Sequence, residues 1–290
     1  MSKIKIALGK TPISKQFLKS ELAQKYCDHQ AIEPIHHAFQ PMSETVAFDA
    51  SEMAIVTAMQ AVDHARDIVP LPITIASRVQ HKCIIQNANF TSLSPKDLEG
   101  KKIAVRAYSQ TTGAWVRALL ETEFDVDCTK ITWITQNPPH VLDAPEPPNV
   151  LRDPNGKSTF EQISTGLVEA AIFGNDLPAE PWAKPVIENA EELGRASLKT
   201  SGLIQINHVI TVSRRLFDEN PSMIQALFDG FVAARALLPM DEQTMLPIGK
   251  AEMEYSINVL AQSAFHQGLT TKHLSFDDIF GDADRLNRAR

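Results

Sequence analysis

The side chains best equipped for chemistry in this chain sit where strands are expected to end or helices to begin. Arg78 follows the apolar run Ile73 to Ala76, and Arg106 follows Ile103-Ala104-Val105. A guanidinium at the end of a strand can hold a carboxylate through two parallel hydrogen bonds, because its planar fork matches that anion. For Arg106, a structural ion pair accounts for the position equally well. The next stretch, Tyr108 to Trp115, brings Ser109, Thr111 and Thr112 to an expected helix start, with Gly113 allowing close approach. Free N–H groups at such a start favour an anion without any side-chain cation, although Ser and Thr also cap helices for purely structural reasons. Tyr108 and Trp115 are candidates for a ligand-facing wall, while an aromatic one turn into a helix is more commonly core.

A group able to carry a proton stands apart from these. His208 lies within Ile206 to Val212, an apolar strand, where an imidazole could serve as an acid; a satisfied structural histidine is the ordinary alternative. Glu52 follows Phe48-Asp49-Ala50-Ser51 and is expected at the start of a helix capped by Ser51. There it could orient a histidine, or simply complement the helix dipole. His81 and Lys82 follow Arg78 and either add positive charge to a site or form a solvent-facing pair. His36 and His37 adjoin on an expected strand, Ile32 to Phe39, so they point to opposite faces and cannot readily share a metal. No His-x-His, His-Glu-x-x-His or Cys-rich ligand set occurs, and the glycine-rich phosphate and dinucleotide loops and the Gly-x-Ser-x-Gly elbow are missing too. The chain therefore offers no motif for a metal, a nucleotide or α/β-hydrolase chemistry.

The elements that must position these groups alternate strand and helix. Lys3 to Leu8 reads as a strand, Ile13 to Lys25 as a helix, and Ile73 to Ala76 and Cys83 to Gln86 as strands. Such β-α-β alternation predicts a mainly parallel sheet with ligands at the carboxyl ends of its strands. At Ser94-Pro95 a short capped turn, stopped by Gly100, marks a boundary. A second unit follows, with a helix from Thr111 to Glu123, a strand at Ile131 to Ile134, a helix at Thr159 to Leu167 and a strand at Ala170 to Phe173. Between them, residues 137–156 are so rich in proline that no regular element is expected there. From Ile204 an apolar strand and then mainly helices follow. If this last part packs back on the first, the chain forms lobe 1 from residues 1–95 and 206–290 and lobe 2 from 96–205, crossing twice at a hinge.

Composition sets outer bounds. A length of 290 residues exceeds a usual single core of roughly 100 to 200, and 43% hydrophobic with 22% charged residues suits a globular chain. A net charge of -7 without a compensating basic patch argues against a nucleic-acid surface. No stretch reaches the roughly 18 apolar residues that cross a bilayer, so no membrane partner is expected. The N-terminus lacks the apolar core of an export signal, which gives the expectation of a cytoplasmic protein. Three widely spaced cysteines, Cys27, Cys83 and Cys128, are expected as reduced thiols. Association with further copies of the chain is compatible with all of this.

The run Asp97 to Ile134, with Asn207 to Ala236, resembles the 4,5-dihydroxyphthalate decarboxylases and their relatives in the type 2 periplasmic-binding superfamily. Phe48 to Met53, Ala76-Ser77-Arg78 and the tail His266 to Phe280 extend the similarity over nearly the whole chain. The resemblance implies an α/β, two-lobed type 2 periplasmic-binding fold whose cleft closes on a small aromatic carboxylate. It also implies decarboxylation without a cofactor: Arg78 holds the carboxylate that stays, His208 protonates the ring carbon or contacts the phenol, and Glu52 accepts a phenol proton or orients His208. A non-catalytic binding protein for a small aromatic acid or a thiamine-precursor-like ligand is the alternative on the same fold. Two places depart from the pattern. Arg106-Ala107-Tyr108 stands where the family has Pro-Glu-Tyr, and Gly174-Asn175-Asp176 stands where an arginine is expected. Both fall at the cleft, so an altered substrate is compatible with the fold.

Overall fold

A computed structural model describes residues 3–286. Along the chain come β1 (Ile4–Ala7), α1 (Pro12–Leu18), α2 (Glu21–Tyr26), β2 (Cys27–Gln30), α3 (Phe39–Thr45), β3 (Ala50–Ala54), α4 (Ile55–Asp63) and β4 (Ile68–Ser77). The middle of the chain supplies β5 (Ile84–Asn87), β6 (Lys102–Val105), α5 (Thr111–Phe124), β7 (Thr132–Thr135), β8 (Val150–Arg152), α6 (Thr159–Ser164), β9 (Ala170–Ile172), β10 (Ala183–Pro185) and α7 (Ala190–Ser201). Then follow β11 (Ile206–Ser213), α8 (Arg214–Glu219), α9 (Pro221–Ala236), α10 (Met240–Thr244), α11 (Lys250–His266) and α12 (Phe276–Phe280).

The strands form two sheets, one per lobe: β2-β1-β3-β11-β4 and β10-β5-β9-β6-β7-β8. β1 pairs in parallel with β2 and β3, whereas β11 enters antiparallel between β3 and β4. In the second sheet β6, β7, β8 and β9 run parallel, and β5 and β10 close one edge antiparallel. Both sheets carry helices, and β3 is covered on both faces: all five of its residues are buried, Ser51 and Glu52 among them.

That burial corrects the expected helix at Glu52. Ser51 and Glu52 are strand residues between β1 and β11, and α4 begins only at Ile55. The expected strand over 32–39 is instead a 3-10 turn at Ile35–Ala38 leading into α3, because Ala38, Phe39 and Met42 bury one helical face. The expected single helix at 13–25 divides at Ser20, whose hydroxyl accepts from the Ala23 N–H and starts α2 afresh. Ile84–Asn87 belongs to the second sheet, so the chain first crosses between Ser77 and Ile84, earlier than the Ser94 turn. It rejoins the first sheet at β11. The proline-rich segment does contain a strand, β8, paired with β7. The segment is also pinned to the first lobe: Ser43 donates to the His140 carbonyl at 3.3 Å, and Glu44 accepts from the Leu142 N–H at 3.2 Å.

One apolar cluster runs through both lobes, joining Met53, Val56 and Met253 to Val105, Trp115 and Trp133. A second fills the outer side of the first sheet, where Phe17 stacks on Phe231 at 4.1 Å. No helix among the described residues is long and apolar enough to cross a membrane.

Candidate functional site

The lobes enclose a cavity of about 440 Å³, lined by the ends of β4 and β6, the start of α5, the turn before α3, and β11. His208 faces it from β11, opposite Ala54 of β3 and Ala76 of β4. Its Nδ1 lies 2.6 Å from Oε1 of Glu52, whose side chain is only 1% exposed. The other oxygen, Oε2, accepts the Gly9 N–H at 2.8 Å. Both Glu52 oxygens are thus engaged beneath the cavity wall, and the carboxylate fixes the ring without meeting a ligand itself. Gly9 is required by close approach: a Cβ there would come within 3.0 Å of Oε2 and 3.2 Å of the Ile35 Cβ. Phe39 packs edge-on against His208, with ring centroids 5.2 Å apart.

Positive charge dominates the rest. Arg78 donates from Nη1 to Asn175 Oδ1 at 2.5 Å and from Nη2 to Thr112 Oγ1 at 2.7 Å. Neither partner is charged, and its buried Nε has no acceptor among the described residues. The half-buried Arg106 guanidinium faces the same cavity with no hydrogen-bond or ion-pair partner among the described residues. Burial holds its pKa below the usual arginine range, opposed only by Asp176 at the rim. Beside them Ser109 Oγ and Gln110 Oε1 are buried without partners among the described residues, and Thr111 Oγ1 accepts the Val56 N–H at 3.3 Å. Two cations without carboxylates, a helix start and an orphaned hydroxyl suit an anion with oxygen acceptors. Phe39, Phe160, Ile172 and Phe173 supply apolar walls wide enough for a ring.

Six expected residues therefore meet at the cavity: Arg78, Arg106, Ser109, Thr111, Thr112 and His208, with Glu52 directly behind. Three do not. Tyr108 is buried and donates to the Gln267 carbonyl at 3.1 Å, with the Arg117 guanidinium 3.9 Å above its ring. Trp115 is fully buried and donates from Nε1 to the Ile206 carbonyl at 2.8 Å, tying α5 to the returning strand. His81 is fully buried, with Nε2 3.1 Å from Glu123, and packs under α7.

Two further cavity residues, His36 and His140, carry no signal in the sequence that marks them for the site: His36 falls in the expected strand over 32–39, and His140 lies in a segment with no periodic pattern. Both line the cavity. His140 Nδ1 lies 3.0 Å from Thr57 Oγ1, and its ring stands edge-on to Phe39 at 5.5 Å. Burial, then the Arg106 charge, lowers the pKa of each imidazole to about 4. Among the described residues no group of three or more His, Cys, Asp or Glu is placed to hold a metal ion.

Two α/β lobes, a twofold crossing and a ligand-sized cleft between them define the two-lobed fold of the type 2 periplasmic-binding proteins. The alkanesulfonate-binding protein SsuA from Xanthomonas axonopodis pv. citri, solved bound to MOPS, superposes with a TM-score of 0.61 at 14% identity, covering 96% of this chain and 98% of that one. A sulfonate-binding SsuA from Methylobacillus flagellatus gives 0.57 at 12% identity over 96% and 91%. A ligand-binding component of an import system from Staphylococcus aureus gives 0.56 at 10% identity over 98% and 100%. In sequence, the chain is 23% identical over 206 residues to 4,5-dihydroxyphthalate decarboxylase of Comamonas testosteroni, covering 67% of this chain and 62% of that protein. No family model matches the chain.

Proposed function

We propose that the cleft binds an aromatic carboxylate, of the dihydroxyphthalate kind, and removes one carboxyl group as carbon dioxide without a cofactor. The observation that carries this reading is the His208 imidazole, set at 2.6 Å on buried Glu52, facing a cavity whose two arginines have no carboxylate partner among the described residues. A merely anion-binding cleft needs the arginines. It has no evident need for a histidine oriented by a buried carboxylate.

Arg78, Thr112 and the start of α5 hold the carboxylate that stays, and the phenylalanine walls take the ring. His208 then delivers a proton to the ring carbon bearing the other carboxylate, drawing electrons from the hydroxyl para to it. When the carbon–carbon bond breaks, its electron pair returns to the ring and restores aromaticity as carbon dioxide leaves. His208 is reprotonated from solvent, so the step consumes one proton and needs no oxidant. Support for the substrate class comes from the likeness to the Comamonas testosteroni enzyme.

Purified protein incubated with 4,5-dihydroxyphthalate should release carbon dioxide and form the monocarboxylate, followed by chromatography. Recovery of the compound unchanged, with clear binding by calorimetry, would replace this reading by that of a binding protein for a small aromatic acid.

A further inference from the structure

The cavity carries a second cationic group besides Arg78. Arg106 enters from the end of β6, His36 from the turn before α3, and His140 from the proline-rich segment, three stretches far apart in sequence. The Arg106 guanidinium has no partner among the described residues, nor does either ring nitrogen of His36. His140 is anchored through Nδ1 to Thr57, leaving Nε2 without a protein partner among the described residues. Resting on the reading of the cleft as an anion site, we propose that Arg106, His36 and His140 form a second anion subsite, and that its filling draws a proton onto the imidazole pair.

The physical reason is that three potential cations share one partly buried wall. In the unfilled cleft, burial and the Arg106 charge keep both imidazoles neutral at ordinary pH. His37, His140 and His208 add smaller repulsions on His36, and His208 adds one on His140. The facing carboxylates do not relieve this: Glu52 is turned onto His208 and Gly9, and Asp176 lies on the exposed rim. An anion lodged against Arg106 cancels the repulsion and adds an attraction of its own, so the charged imidazole becomes the better partner. By linkage, a ligand that raises a histidine's pKa binds more tightly as pH falls. For one proton the gain approaches about tenfold per pH unit between the free and bound values.

Phthalate is a suitable probe because both its carboxylates are largely ionised between about pH 6 and 8, so it contributes few protons itself. Titration calorimetry in two buffers of different ionisation enthalpy should report net proton uptake on binding, and Kd should fall from pH 8 to pH 6. Arg106→Gln should weaken binding and shrink the uptake, since the free imidazoles are then less repelled. The His36→Gln/His140→Gln double variant should bind with little pH dependence. Binding without proton uptake would overturn the proposal, as would uptake undiminished in the double variant, which would place the proton on His208. Failure of phthalate to bind at any pH would remove this subsite and the anion-site reading together. Should the double variant not fold, the buffer comparison on His36→Gln and His140→Gln singly decides, uptake undiminished in both overturning the proposal.

Discussion

Arg78 and His208 divide the work of the cleft between holding and reacting, and substitution should separate the two. Arg78→Ala removes a charged donor at a site where Thr112 and Asn175 offer no replacement cation. Ligand affinity should drop by about 1.5 to 3 kcal/mol, or roughly ten- to more than a hundredfold, with kcat less affected. His208→Gln keeps a polar side chain beside Glu52 but carries no transferable proton. Turnover should fall by about 10² to 10⁴ while Kd for 4,5-dihydroxyphthalate stays within a few-fold. Parallel losses of kcat and affinity in steady-state and binding measurements would reduce His208 to a contact. At this scale the arginines were legible because each follows an apolar run and so falls at a strand end, the hydroxyls because they open a helix, and His208 because it is a lone polar ring within an apolar strand. His36 and His140 were not. Their place depends on an irregular turn and on a loop docked through Ser43, Glu44 and Thr57, and neither leaves a periodic signal.

The elements explain why Glu52 could be suspected as a partner and yet misplaced. A carboxylate after a serine and before an apolar stretch fits a helix start, but β3 lies between β1 and β11 with both faces covered, and neighbours override that local preference. Being in a strand sets the carboxylate's place. The pairing of Ile210 with Glu52 and of His208 with Ala54 brings two residues 156 positions apart within 2.6 Å. The loop after β1 completes the arrangement through Gly9. Gly9→Ala should force Glu52 Oε2 or Ile35 to yield, since both lie within 3.2 Å of the added methyl. We expect a stability loss of about 1 to 3 kcal/mol by urea denaturation. Because Glu52 orients His208, kcat should also fall more than affinity. Unchanged kcat with the same stability loss would show that the carboxylate's position does not matter to the reaction.

For the whole molecule, two lobes and a cleft were legible from the alternation of elements, but the first crossing was not. β5 has the same short apolar character as the strands of either sheet, and only its pairing with β9 and β10 assigns it. The return strand carries a further consequence. β11 is an inner strand of the first sheet, bonded to β3 on one side and β4 on the other. During synthesis β1 to β4 emerge long before it, and until Ser213 leaves the ribosome β3 and β4 face each other across an empty slot. The second sheet, whose strands all lie between Ile84 and Pro185, has no such gap. A chain ended at residue 205 should therefore show protected amides in the second sheet and rapid exchange in β3 and β4. Equal protection in both sheets would mean that β3 and β4 can pair without their filler. The lobe made first is the one that must wait, exposing two unsatisfied apolar edges to any chaperone while the later lobe closes ahead of it.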